Sequence, residues 1–191
     1  MKKEITCSEN GSIRLMDKII VTDPCYKEKI WCNEVVDNVL PGNYKIYIRR
    51  AKSEKYMYDG ISRLIVIHED YVNHFMKNNK NLALDKSAKA LSKTDLTMEM
   101  SPTEIGVDSG TCGFLNHDYY FDIVKTDKEY DEKLFDALYN MGDLLTIEEC
   151  GVMSTNWFGD GGYELWLFST DINDKKTVVA MVINYKLEKM K

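Results

Sequence analysis

The chain has 191 residues, 44% of them hydrophobic and 29% charged, the make-up of one soluble globular domain with a core that needs no covalent staples. A formal net charge of -6 argues against broad attraction to nucleic acid or anionic lipid, and no apolar run approaches the about 18 residues of a membrane helix. Five cysteines with no C-x-x-C pair, and an N-terminus with no apolar signal core, point to free thiols in a cytoplasmic protein.

The run Ser12-Ile13-Arg14-Leu15-Met16, with Lys18-Ile19-Ile20-Val21-Thr22 after it, is rich in β-branched residues and reads as one bent strand or two short ones. Pro24 stops the pairing, and the carboxylate of Asp23 is placed to accept backbone N–H bonds from the turn that follows. Residues 30–40 read as a strand or an irregular segment, and Pro41-Gly42-Asn43 is a turn. Tyr44, Ile46 and Ile48 alternate with Lys45, Tyr47 and Arg49, the period of a half-buried strand. Locally basic sequence is confined to Arg49-Arg50-Ala51-Lys52, which reads as a solvated strand end. Residues 61–68 are nearly all apolar, which predicts an interior strand buried on both faces and paired with its predecessor as an antiparallel hairpin.

The pattern loosens over 69–100, where Tyr71, Val72, Phe75 and Met76 have helical spacing inside what reads as an insertion or mobile segment. Glu104-Ile105-Gly106-Val107 is a short strand, and residues 127–140 carry the periodicity of a helix ended by Gly142. Residues 150–158 and 163–170 read as the arms of a tight hairpin around Gly159-Asp160-Gly161-Gly162, the central hairpin of a sheet. Residues 177–185, apolar on both faces, predict a central strand. Together these give an α+β fold, a mostly antiparallel sheet forming a sandwich or open barrel with one or two peripheral helices, in a single domain over residues 1–191.

In the order Asp23-Pro24-Cys25-Tyr26, Val107-Asp108-Ser109-Gly110 and Phe158-Gly159-Asp160-Gly161-Gly162-Tyr163, the chain resembles a family of bacterial and phage proteins known as a domain of unknown function. The resemblance implies a compact, mostly β domain and brings no activity, cofactor or catalytic residue.

Three turn motifs gathered at one rim would make a site. Asp23, Asp108 and Asp160 are candidate hard-oxygen ligands for Mg²⁺ or Ca²⁺, against the plainer role of capping their own turns; no other cofactor is expected. Gly159, Gly161 and Gly162 are candidates to turn N–H groups toward an anion, with Trp157 and Tyr163 as stacking walls and Asp23, Asp108, Ser109 and Asp160 as polar contacts for a nucleotide-like ligand. Cys25 or Cys112 with His68 or His117 would make a thiol enzyme if a cysteine and a histidine came within hydrogen-bond reach. The leading expectation is non-catalytic binding of a small polar or nucleotide-like ligand, or of a protein partner, at this pocket. The alternatives are a metal- or thiol-dependent hydrolase or nucleotidase, and a homodimeric interaction module.

Overall fold

A computed structural model describes residues 3–25, 33–53, 58–78, 96–124, 142–147, 150–156 and 158–185. Two antiparallel sheets dominate it. The larger runs β1 (Lys3–Leu15), β4 (Gly42–Ser53), β5 (Tyr58–His68), β12 (Lys175–Asn184), β11 (Gly161–Ile172), β6 (Thr97–Met100), with β7 (Ile105–Val107) paired to the start of β11. The smaller runs β3 (Glu34–Asp37), β2 (Lys18–Thr22), β8 (Thr111–Asn116), β10 (Gly151–Thr155), β9 (Leu144–Ile147). Neither closes on itself, and the pair forms a sandwich.

Apolar side chains from the two inner faces share one core, with Ile13, Tyr44, Ile46, Leu64, Leu165 and Ile183 of the large sheet meeting Ile19, Val21, Phe114 and Val152 of the small one. The outer faces are covered as well. Phe75 of α1 (Val72–Asn78) and Leu96 close over Ile65, Ile67, Phe168 and Val182, while Tyr120 closes over Ile20, Leu115, Leu145 and Met153. Coverage on both faces explains why β5 and β12 read as continuous apolar runs: both are interior strands, between β4 and β12 and between β5 and β11. No helix among the described residues is long and apolar enough to cross a membrane.

Local chemistry sets the turns. The β11–β12 hairpin closes through Asn173 and Asn-like Asp174, both at positive φ (51° and 60°), which is the two-residue connection that matches strand twist. The β4–β5 hairpin forms as expected, with Tyr44 opposite His68, but β4 is not half-buried: Tyr47 and Arg49, on the face the alternation assigns to solvent, are 6% and 1% exposed because the outer face of the sheet is covered as well.

Two further expectations are corrected. Residues 150–158 and 163–170 are not the arms of one hairpin: β10 pairs with β8 and β9 in the small sheet, and β11 pairs with β12, β6 and β7 in the large one. The glycine run therefore carries the chain between sheets, because turn residues specify a bend and not the partner of the next strand. Arg49 is not at a solvated strand end. It is 1% exposed, in a cross-strand row with Cys7, Arg63, Asn184 and Glu164, where its Nη1 donates to Ser62 Oγ at 2.9 Å and Arg63 lies 4.6 Å over the Trp166 ring. Of the other basic residues in that run, Lys52 is exposed, with its Nζ 3.0 Å from Asp59 Oδ2, and Arg50 is half-buried, with its Nη2 2.6 Å from Asp143 Oδ2. Residues 12–22 form two strands, as the second of the two readings expects; they lie in different sheets, and β1 begins well before Ser12. The helix expected at 127–140 lies outside the described residues.

Candidate functional site

Asp23 directly follows β2 as a buried carboxylate, and it caps more than its own turn. Its Oδ1 accepts from the backbone N–H of Cys25 (3.0 Å) and from the Ser109 hydroxyl (2.7 Å). Its Oδ2 accepts from the N–H groups of Asp108 (2.9 Å) and Ser109 (2.8 Å), 85 and 86 residues away. The first two turns are thus one hydrogen-bonded unit. Charge-assisted bonds of this kind are short and strong, and here they use both oxygens.

Asn156 ties in the third turn. Its N–H donates to Gly110 O at 2.8 Å, and its side-chain amide reaches Gly110 O and Gly159 O at 3.2 Å each. The Tyr163 hydroxyl stands 3.0 Å from Asn156 Oδ1 and 2.8 Å from Gly159 O. Beneath it, Tyr163 meets Tyr185 edge to face, with ring centres 5.1 Å apart, and the Tyr185 hydroxyl is 2.9 Å from Ser154 Oγ. Gly161 and Gly162 pair with Val107 and Gly106, so all three turns share one rim of the sandwich. Asp108, Asp160 and Gly161 are exposed there; Ser109, Gly159 and Gly162 are half-buried, and Trp157 lies outside the described residues.

Several chemical roles expected for these residues do not fit this geometry. Asp23 is committed to four donors, and no three His, Cys, Asp or Glu side chains among the described residues come together as a metal site, so Asp23, Asp108 and Asp160 do not assemble one. Gly161 and Gly162 lie within a strand, where successive N–H groups point to opposite sides, so they do not converge on one anion. Cys25 and Cys112 stand at the rim end of the sandwich, whereas His68 ends β5 and His117 follows β8 at the other end. At about 3.3 Å per residue, six residues of strand separate Cys112 from the start of the 117 turn by roughly 17–20 Å.

His68 has structural work of its own. Its Nδ1 accepts from the Asp70 N–H at 3.3 Å, its ring packs edge to face on Tyr44, and a β-carbon at Gly42 would collide with its Nε2. Cys112 is wholly buried between the sheets, where burial first and the Asp23 charge second push its thiol far up. Burial likewise pushes Cys150 up to about 12. In the native protein at neutral pH, alkylation mapped by mass spectrometry is expected to reach half-buried Cys25 well before Cys112 or Cys150. Equal labelling of all three would contradict this packing.

Burial, followed by the nearby Asp160 charge, raises Tyr163 up to about 12. An unfolded tyrosine loses its proton near pH 10, so the stability linked to this phenol is complete below about pH 10 and is lost as pH rises toward about 12. Urea denaturation across that window is expected to show falling stability, with a shallower fall in Tyr163→Phe. An equal slope in both proteins would assign the loss to other groups.

Asn156, Ser154 and Tyr185 are the rim supports that sequence reasoning missed. The available signal was an asparagine directly before a glycine-rich turn, a residue type whose side chain bonds to nearby backbone. A scan against protein-family models and searches of curated proteins and of solved structures return no match to this chain.

Proposed function

We propose that this chain is a non-catalytic binding domain that recognises a small polar ligand or a protein partner through the rim made by its three turns. The observation that carries the reading is the pair of braces under that rim, the Asp23 carboxylate and the Asn156 side chain, which join backbone from three distant parts of the chain. Ionisable and hydroxyl groups that chemistry would need are spent there on holding shape: Asp23 on four donors, and the Ser109 hydroxyl on Asp23. A rim fixed before association loses little conformational freedom on binding, which favours affinity without any reacting group. Asp108 and Asp160, exposed on it, supply the polar contacts. The motif resemblance to a bacterial and phage family is compatible with this reading and adds no activity to it.

The test is an amide-resolved NMR titration of the whole chain with a panel of nucleosides, nucleotides and basic or acidic peptides. At least one is expected to shift the Ser109, Gly110 and Gly159 amides and to be recovered unchanged after long incubation. Asp108→Ala and Asp160→Ala should weaken that binding without altering the melting temperature. Turnover of the ligand, or a panel whose members leave all three amides in place, would overturn the reading.

A further inference from the structure

At the opposite end of the small sheet lies a cleft of about 390 Å³, lined by residues from the β1–β2 bend and from the helical turn after β8. That volume falls within the roughly 300–1,000 Å³ typical of small-molecule sites. About 20 Å of strand separates it from the three-turn rim, so it is a second, independent feature.

Its walls are firmly set. The buried Asn116 side chain accepts from the Met16 N–H at 2.8 Å and donates to Arg14 O at 3.1 Å, tying the bend to the strand that starts the other wall. Asp17 O accepts from the Val39 N–H at 3.0 Å, which fixes the bend from its other side. Across the cleft, the His117 ring lies 4.7 Å from Phe121, and its Nδ1–H donates to Asp118 Oδ1 at 2.9 Å. In the neutral ring that bond leaves Nε2 as an acceptor.

The charges are mixed. Arg14 and Lys18 bring cations, and Asp17, Asp118 and Asp122 bring carboxylates. Among the described residues, neither the Arg14 guanidinium nor the Asp17 carboxylate makes an ion pair. Met16, with 48% of its surface exposed, and the Tyr119 ring add an apolar floor. An anion alone would meet three carboxylates here, and a cation alone would meet Arg14 and Lys18. A molecule carrying both charges a few bonds apart meets each with its opposite.

We propose that this cleft binds a small zwitterion, an α-amino acid or a dipeptide, with its carboxylate on Arg14 and its ammonium on Asp17 and Asp118. Guanidinium and carboxylate match as a bidentate pair, and an ammonium suits oxygen acceptors. The apolar side chain of the ligand lies against Met16 and Tyr119.

The experiment titrates the full chain with free amino acids and dipeptides, their N-acetyl derivatives and their C-terminal amides, read by calorimetry and by the amides of Asn116, His117 and Tyr119. The zwitterions are expected to bind and to shift those amides while leaving Ser109 and Gly110 unmoved. Removing either ligand charge should weaken binding by about tenfold or more, and so should Arg14→Gln or Asp17→Asn, both at accessible positions, with unchanged melting temperature. Equal affinity for singly charged derivatives, no binding by any zwitterion at millimolar concentration, or shifts confined to the rim would overturn the proposal. The last of these would leave the rim reading intact.

Discussion

Replacing Asp23 by alanine is expected to lower the folding stability by about 4 kcal/mol, roughly 1 kcal/mol for each of the four donors its carboxylate satisfies. Three of those donors are backbone N–H groups in part-buried turns, so the loss includes the cost of leaving them without the carboxylate. Asp23→Asn should recover about half, since an amide keeps one acceptor oxygen but points N–H groups where the other oxygen accepted. Urea denaturation of the three proteins checks the order. A double-mutant cycle with Ser109→Ala should show coupling of about 1 kcal/mol, because the two side chains share one bond. An alanine variant within about 1 kcal/mol of the parent would mean that water replaces the carboxylate freely, and the rim would then lack its main brace.

Gly151→Ala is expected to be the most damaging glycine substitution, with a loss of about 3 kcal/mol or more. Gly151 opens β10 at φ 149°, opposite Leu115, and a β-carbon there would collide with the Phe114 carbonyl oxygen and stand 2.9 Å from Leu115 Cα. Those are backbone atoms of the neighbouring strand and cannot swing aside. The Asn116 N–H bond to Cys150 O holds the two strands at that spacing. Gly11, in the bulge of β1 at φ 102°, separates the causes: a β-carbon there meets nothing within 4 Å. Gly11→Ala should therefore cost only the backbone strain, about 1 kcal/mol. Equal losses in the two variants would assign the effect at 151 to conformation and not to collision.

The unbroken apolarity of 61–68 and 177–185 is a consequence of burial on both faces, so these strands could be read directly, whereas the alternation in 44–50 marked a strand but not the burial of Tyr47 and Arg49 on its second face. Asp23 before a proline was legible as a turn cap for a similar reason: its carboxylate reaches the N–H of Cys25 two residues on. What could not be read was the second half of its work, on Asp108 and Ser109, because nothing local marks a carboxylate as serving a distant turn. The burial of Arg49 was hidden likewise, since its cross-strand neighbours Cys7 and Arg63 come from two other strands. The cleft escaped notice except for His117, as its cations come from the β1–β2 bend and two of its carboxylates from the turn after β8, about a hundred residues later.

By itself the sequence determined a mostly antiparallel fold, the β4–β5 hairpin, the interior positions of β5 and β12, and three glycine- or proline-marked bends. Only the tertiary structure decided that β10 and β11 part into different sheets, that those bends share one braced rim, and that a mixed-charge cleft forms at the far end. The division has one physical origin. Backbone preference and side-chain period act over a few residues and are written in each segment, whereas the choice between equally pleated partners comes from contacts summed over the whole sandwich.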